Sequence, residues 1–217
     1  MKNLSKAGGL AALYLAAAYL AAIPFFLLVV DVRSLVDPLQ KLEGLIAHQG
    51  SMYAMEFVVY VLFGIFLTVL AVALHDRLKA GAEALMTVAT PIALVWAGLL
   101  IASGMIFNAG VAPAIALYAK DQAQAVALWS AIDTVSSGLS GNGEIVGGTW
   151  MLLVGLATLK SRALPKALGI LGLVIAAVGI VSVVPQLNDL AGVFGLGQIV
   201  WFVWLGILML SEKRRVD

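Results

Sequence analysis

Three acidic residues, Glu56, Asp133 and Glu144, lie within or beside long apolar stretches, where a charge is costly to bury. In a membrane, an ionisable side chain at that depth is by default a candidate for binding or proton transfer. Tyr60 follows Glu56 by four residues, so the two side chains would be neighbours on a helix and could share a hydrogen bond. The alternative for Glu56 is a carboxylate that is simply solvated at the level of the lipid headgroups.

A polar stripe accompanies the other two acids. Its members are Asp133, Ser137, Ser140 and Glu144. They span eleven residues, which is close to three helical turns, so a continuous helix would place them on one narrow face. That face could line a hydrated path. The alternative is that Asp133 belongs to an exposed turn and Glu144 caps a second helix, because residues 140–143 form a helix-breaking cluster.

Other chemistries have little support in the sequence. The chain has no Cys, which removes thiolate nucleophiles, iron–sulfur clusters and thiolate zinc sites. It has no Glu-x-x-His or His-Glu-x-x-His motif, so His48 is only a weak metal candidate beside the carboxylates. His48 and His75 are predicted on opposite sides of the membrane, which argues against a haem held by two histidines. We predict no cofactor, no metal site and no catalytic residue, and lean against an enzyme.

Composition places the chain in a membrane. Of its 217 residues, 62% are hydrophobic and only 12% are charged, too few for the polar surface of a soluble domain of this size. The net charge of +1 gives no basic patch for nucleic acid, which we exclude as a partner. The apolar run from Gly8 to Val30 is longer than the core of a signal peptide, about 7–15 residues, so it is expected to remain as a first span.

The apolar runs predict an all-α fold, a bundle of six transmembrane helices forming a single domain over residues 1–217. The predicted spans cover residues 10–30, 52–74, 85–107, 126–160, 164–184 and 191–210. The fourth is broken or extended near residues 141–143. Pro113 is expected to open a helix that runs through Leu139, and residues 113–140 would span, re-enter or project outside.

A short helix is predicted between the first two spans, lying on the outer membrane surface. Asp37 would be its N-cap and Pro38 would occupy its first turn. The alternative is a plain loop. Trp129 is predicted to be an anchor at the outer interface, where Trp is enriched.

Basic residues predict the orientation, because cytoplasmic loops carry an excess of Lys and Arg. Ten of the thirteen fall at alternate junctions: Lys2, Lys6, Arg77, Lys79, Lys160, Arg162, Lys166, Lys213, Arg214 and Arg215. Arg33, Lys41 and Lys120 fall at the other junctions. Both termini are therefore predicted in the cytoplasm.

Small residues predict where helices meet closely. In the fifth span these are Gly169, Gly172, Ala176 and Gly179. They form one face that would let another helix approach, and residues 16–22 of the first span are similarly rich in Ala.

The turn before the fifth span carries a distinctive pattern. Residues Ser161 to Gly169 read S-x-x-L-P-K-x-L-G, and the chain opens with Lys6-Ala7-Gly8-Gly9-Leu10. In both features the chain resembles a family of bacterial membrane proteins catalogued as domain of unknown function 4386. The resemblance implies a six-helix bundle in the bacterial cytoplasmic (inner) membrane. It carries no established activity, so it assigns no functional residue.

Three classes of function remain. We favour first an accessory or structural subunit of a membrane complex, since the loops are short and no catalytic constellation is visible. The second is a small carrier or ligand-binding protein with an outward-facing polar site at Glu56, Asp133 and Glu144. The third is a membrane-embedded enzyme acting on lipid or quinone, which would need His48 close to two of the carboxylates. The expected partners are the lipid bilayer and either other membrane subunits or a second copy of the chain.

Overall fold

The computed structural model describes residues 2–31, 34–141 and 144–211, and in these ranges the chain is helical, without a strand. The α-helices are α1 (Lys2–Pro24), α2 (Pro38–Ala47), α3 (Gln49–Glu56), α4 (Phe63–Tyr118), α5 (Gln122–Ser140), α6 (Ile145–Ser161), α7 (Lys166–Val181) and α8 (Leu190–Ser211). Two π-helical segments, Phe25–Val29 and Phe57–Leu62, continue α1 and α3, and Pro185–Leu187 forms a 3₁₀ turn. The predicted all-α membrane bundle is confirmed.

Three helical runs are long and apolar enough to cross a bilayer: Asn3–Val29, Gln49–Tyr118 and Leu190–Ser211. A hydrocarbon core of about 30 Å needs about 20 helical residues. The second run, with 70 residues, is more than long enough to cross twice. Its backbone leaves the helical conformation at Ala82, with φ −149° and ψ 42°. The protein is therefore an integral membrane protein, and the apolar α7 is a shorter helix of 16 residues.

The chain divides into two compact units. Unit 1 comprises residues 1–17, 65–97 and 141–217, and unit 2 comprises residues 18–64 and 98–140. Both units are built from separated segments, because the divisions fall inside α1 and α4 and after α5.

The core of unit 1 combines large aromatic side chains with glycines. Trp96, Trp150 and Trp201 are buried side by side. The ring centroid of Trp150 lies 5.7 Å from that of Trp96 and 6.0 Å from that of Trp201. The indole nitrogen of Trp201 donates a hydrogen bond to the Leu168 carbonyl at 3.2 Å. On α6, a Cβ placed on Gly148 would lie 2.9 Å from the backbone nitrogen of Ile180 on α7. These two helices therefore pack almost backbone to backbone.

The small-residue face predicted on α7 is buried in unit 1. Gly169, Gly172, Ala176 and Gly179 are all buried in the structure. A Cβ on Gly169 would meet Leu159 of α6 at 3.0 Å, and one on Gly179 would meet the Phe194 ring of α8 at 2.6 Å. The chain's own helices therefore cover this face.

The core of unit 2 lies around an aromatic pair. The rings of Phe107 on α4 and Trp129 on α5 meet edge to face, with centroids 4.9 Å apart. Leu42 and Leu45 of α2 are fully buried in the same cluster. Only 4% of Trp129 is exposed, so its prediction as an interfacial anchor is wrong. It fills the core, where its large apolar area is best used.

The start of α2 is confirmed as predicted. The Asp37 carboxylate accepts a hydrogen bond from the Leu39 N–H at 2.8 Å, and the Gln40 side chain accepts one from the Asp37 N–H at 3.4 Å. This reciprocal arrangement is a capping box, with Pro38 in the first turn. The plain-loop alternative is therefore wrong, whereas the placement of α2 on the outer membrane surface stays a prediction.

The boundaries around Pro113 differ from the prediction. Helix α4 continues through Pro113 and ends at Tyr118, so Pro113 does not open a new helix. Helix α5 begins at Gln122, and the Asp121 carboxylate accepts a hydrogen bond from the Gln124 N–H at 3.0 Å. Proline is tolerated inside membrane helices when neighbours satisfy the freed carbonyl, and the Asp121 cap was the better signal for a helix start.

The helix break after α5 is confirmed at Gly141. Its φ of +112° lies in the left-handed region that favours glycine. Asn142 and Gly143, which complete the predicted break, lie outside the described residues. So do Arg33, Lys213, Arg214 and Arg215, which entered the prediction of orientation.

Candidate functional site

Two adjoining cavities in unit 2 collect most of the predicted site residues. The first, which we name the acidic chamber, has a volume of about 250 Å³. It is lined by Phe26, Met52, Glu56, Tyr60, Ser103, Phe107, Asp133, Ser136, Ser137 and Ser140. The second, which we name the Lys41 chamber, has a volume of about 290 Å³. It is lined by Val30, Leu35, Lys41, Leu45, Met52, Phe107, Trp129, Asp133 and Ser137.

Glu56 is the most deeply buried acid of the acidic chamber, with only 5% of its surface exposed. It is the last residue of α3, and the π-helical segment Phe57–Leu62 follows it directly. Tyr60 belongs to that segment, and Phe26 comes from the other π-helical segment, Phe25–Val29. Such segments are rare and often occur at functional sites. Here both of them supply side chains to the same chamber.

Helix α5 supplies the opposite set of polar groups. Asp133, Ser137 and Ser140 all line the acidic chamber, as expected for residues three and four apart on one face. Asp133 and Ser137 also line the Lys41 chamber, so they lie where the two cavities adjoin. The structure thus brings together Glu56, Tyr60 and the α5 part of the predicted stripe.

A buried serine pair joins α4 to α5 beside these residues. The Ser103 hydroxyl donates to the Ser136 carbonyl at 2.8 Å, and the Ser136 hydroxyl donates to the Ser103 carbonyl at 3.0 Å. Their hydroxyl oxygens are 2.9 Å apart. Sequence reasoning missed both residues, since their partners are 33 positions away. The available signal was a hydroxyl within an apolar span, which often bonds to a neighbouring helix.

Close approach of α4 fixes the backbone around Glu56. A Cβ on Gly104 would lie 2.9 Å from the Tyr60 Cβ and 3.2 Å from the Glu56 carbonyl oxygen. Any larger residue at this position would push α4 away from the segment that carries Glu56 and Tyr60. Gly104 therefore helps to set the width of the acidic chamber.

Glu144 is not brought into this cavity. It lies in unit 1 at the N-cap position of α6, beyond the reversal at Gly141. Its N–H donates to the Ser182 hydroxyl at 3.1 Å, and that hydroxyl donates to the Gly179 carbonyl at 2.7 Å. The stripe is thus interrupted, and Glu144 stands at a helix start, as in the alternative interpretation.

The weak metal candidate His48 does not line either chamber with the carboxylates. His48 is the residue between α2 and α3 and is not among the residues that line either chamber. In the described part of the chain, His, Cys, Asp and Glu do not form a group of three or more that could hold a metal ion. His75, in unit 1, pairs with the Thr90 hydroxyl at 2.8 Å.

Comparison with known proteins gives one result. The family model described as "Domain of unknown function (DUF4386)" matches residues 10–208. No curated protein and no solved structure matches the chain.

Proposed function

The chain belongs to the DUF4386 family, and we propose that it is a small membrane carrier or binding protein whose acidic chamber takes a small cation or a proton. The family description supplies no activity, so the support comes from the chamber itself. Glu56 and Asp133 would be the anionic groups, and the hydroxyls of Ser137, Ser140 and Tyr60 would be neutral oxygen ligands. Oxygen donors of this kind suit hard cations and protonated amines.

The observation that carries the proposal is the charge of the chamber lining. Two carboxylates line it together with four serines and one tyrosine, and the described lining includes no Lys, Arg or His. An unpaired carboxylate removed from water is costly, by several kcal/mol. A bound cation or proton between Glu56 and Asp133 would remove that cost. Lys41 is exposed and lines the neighbouring chamber, so its charge is not part of the acidic chamber lining.

The size of the chamber limits the ligand class. Its volume of about 250 Å³ is below the range of about 300–1,000 Å³ typical of pockets for drug-sized molecules. It could hold a partly hydrated monovalent ion or a small amine. Phe26, Met52 and Phe107 give it an apolar wall, which would suit the methyl groups of a small organic cation.

The direct test is ligand-dependent stability of the purified protein. Thermal unfolding is followed while sodium, potassium or methylammonium chloride is titrated at constant ionic strength. A ligand at one hundred times its Kd stabilises the folded state by about 2.7 kcal/mol. We expect one of these cations to raise the Tm of the wild type and to lose its effect in Glu56→Gln and Asp133→Asn.

The matched control is Glu43→Gln, which neutralises an exposed carboxylate of unit 2 that lines neither chamber. This variant should respond as the wild type does. Proton exchange is tested separately, in proteoliposomes that contain a pH-sensitive dye. If no cation shifts the Tm and no variant changes the decay of an imposed pH gradient, the carrier proposal is wrong.

The two other classes have weaker geometric support. The accessory-subunit class predicts an apolar small-residue face matched to a partner helix, and the face on α7 is covered by α6 and α8 of the same chain. The membrane-enzyme prediction needed His48 near two carboxylates, and His48 lines neither chamber. If native mass spectrometry shows other polypeptides that co-purify in fixed proportion, the accessory-subunit class would be favoured over the carrier.

For localisation we propose the bacterial inner membrane with both termini in the cytoplasm. The support is the distribution of Lys and Arg along the chain, ten of which fall at alternate junctions between apolar runs. A reporter fused after Asp217 should be active only in a cytoplasmic form. A reporter that is active only outside the cytoplasm would overturn the orientation.

A further inference from the structure

The Leu-Pro-Lys turn between α6 and α7 plays no part in the acidic chamber, yet it forms a cavity of its own within unit 1. This cavity, which we name the basic pocket, has a volume of about 490 Å³. It is lined by Thr158, Leu159, Arg162, Leu164 and Lys166. Two cationic residues therefore share one cavity with two leucines and a threonine.

The turn is held in a defined shape. Arg162 adopts a left-handed conformation with φ 56°, and its N–H donates to the Thr158 carbonyl at 3.2 Å. The Ala163 N–H donates to the Ser161 hydroxyl at 3.3 Å, and the Ala163 carbonyl accepts a hydrogen bond from the Arg77 guanidinium at 3.1 Å. A conformation that is uncommon outside glycine persists only where surrounding contacts fix it.

A close backbone contact supports the same turn from α4. A Cβ on Gly81 would lie 2.6 Å from the Cα of Ser161. Gly81 directly precedes Ala82, where the α4 backbone departs from the helix. The end of α6 therefore packs closely against this bend, which fixes the backbone where the turn begins.

In the part of the chain that the structure describes, three side chains of the basic pocket have no ion-pair or hydrogen-bond partner: Arg162, Lys166 and Thr158. Among the described residues, neither Arg162 nor Lys166 makes a salt bridge, whereas Lys79 pairs with Asp76 at 2.8 Å. Thr158 is 1% exposed, and its hydroxyl has no hydrogen-bond partner in the described structure. A buried hydroxyl without a partner is unusual and calls for an explanation. A ligand with several acceptor oxygens would satisfy the hydroxyl and both cations.

We propose that the basic pocket binds a phosphate group, and that its natural source is the headgroup of an anionic phospholipid. The Arg162 guanidinium and the Lys166 ammonium would pair with phosphate oxygens, and the Thr158 hydroxyl would donate to another. Leu159 and Leu164 line the same pocket, and Leu156 and Ile170, close in sequence on α6 and α7, are exposed apolar residues. In an anionic phospholipid, the phosphate would meet the two basic residues and the acyl chains would meet the apolar residues. The site is independent of the acidic chamber, so either proposal can fail alone.

The experiment measures lipid retention by the full-length protein. Delipidated protein is incubated with phosphatidylglycerol or phosphatidylcholine in detergent, and bound lipid is counted by native mass spectrometry. We expect the wild type to prefer phosphatidylglycerol. Removing one basic residue should weaken its binding by about fivefold, the effect of about 1 kcal/mol per charge near an anionic surface. Phosphatidylcholine binding should change little.

Three variants remove one group each and keep the fold. Thr158→Val removes the unpartnered hydroxyl at equal shape, Lys166→Gln removes an exposed charge, and Arg162→Asn places a residue that tolerates the left-handed conformation. The matched control is Lys160→Gln, which removes an exposed basic residue of the same segment that does not line the pocket.

A second arm distinguishes the two sources of phosphate. Inorganic phosphate and glycerol 3-phosphate are titrated by calorimetry without lipid. If they bind, and the three variants weaken that binding, the phosphate site stands and its occupant is a soluble phosphate. If only phosphatidylglycerol binds with this variant pattern, the headgroup assignment stands. The proposal is overturned if Thr158→Val binds phosphatidylglycerol and phosphate as tightly as the wild type does. It is also overturned if Lys160→Gln weakens this binding as much as Arg162→Asn does.

Discussion

The two units of this membrane protein use the same kind of helix for different purposes. In unit 1, tryptophans fill the core and glycines let α6 and α7 meet almost backbone to backbone. In unit 2, serines, a tyrosine and two carboxylates line adjoining chambers. Close apolar packing secures a fold, whereas buried polar groups lower stability unless they are satisfied. The difference indicates that unit 1 mainly stabilises the protein and that unit 2 carries the candidate cation site.

The two units also differ in their balance of basic and acidic residues. The sequence segments of unit 1 contain ten basic and six acidic residues, and those of unit 2 contain three basic and six acidic residues. The acid-rich unit is the one with the acidic chamber, and the base-rich unit is the one with the basic pocket. Local charge therefore agrees with the ligand class proposed at each site.

The largest effect is expected from Trp150→Ala in unit 1. Trp150 is fully buried between two other tryptophans, and its loss should cost about 3–5 kcal/mol of unfolding free energy. Circular dichroism during thermal unfolding in detergent measures the change. Trp204→Ala, at a half-buried position of α8, is the control and should cost much less. Equal losses would contradict the assignment of the buried tryptophans as the main stabilising core of unit 1.

The next effect concerns the glycine contact between α6 and α7. Gly148→Ala would place a methyl group 2.9 Å from the Ile180 backbone nitrogen. We expect this overpacking to lower the free energy of unfolding by about 1–3 kcal/mol. Gly192→Ala on α8 meets open space and should be neutral or stabilising, since Ala favours helix. The comparison of the two variants by thermal unfolding separates close packing from helix propensity. A neutral Gly148→Ala would contradict the close contact.

A smaller effect is expected from the serine pair of unit 2. Ser103→Ala leaves the Ser136 hydroxyl without one of its partners, and should cost about 1–2 kcal/mol, as should Ser136→Ala. The double variant should cost clearly less than the two together, because the residues act as one unit. Ser137→Ala, which lines the chamber outside this pair, serves as the control. Strict additivity would show that the pair is not coupled.

The smallest effect on stability should come from Glu56→Gln, although it should abolish cation binding. Replacing a buried carboxylate that has no ion-pair partner by an amide of the same shape removes the cost of burying a charge. We therefore expect an unchanged or slightly higher Tm in the absence of added ligand, measured beside the wild type. A large loss of stability would mean that Glu56 serves the fold, and the contrast between the two units would then fail.

Local signals in the sequence predicted the elements well. The Asp37 cap and the Gly141 break depend on residues next to each other, so both were visible without a structure. The end of α4 differs from the prediction because Pro113 does not interrupt this helix, and the Asp121 cap, which the prediction does not include, precedes α5. Proline in a membrane helix is a weaker stop than it is in water.

The site was only partly predictable for a different reason. Glu56 and Asp133 stood out individually, because acids are rare in apolar spans. The pairing of Ser103 with Ser136 is a contact between distant parts of the chain, and no local pattern encodes it. Glu144 belongs to the predicted stripe only if α5 and α6 form one continuous helix, and the structure has them as two helices.

The π-helical segment after Glu56 has a consequence for how this protein tolerates change. Hydrogen bonds in a π-helical turn reach one residue further along the chain than those in an α-helical turn, so the turn is wider. Deleting one residue from Phe57–Leu62 would let this segment close into a regular α-helix, with Glu56 keeping nearly the same direction. The wide turn that carries Tyr60 into the acidic chamber would nevertheless be lost. The number of residues in this short segment, as much as their identity, thus specifies the acidic chamber.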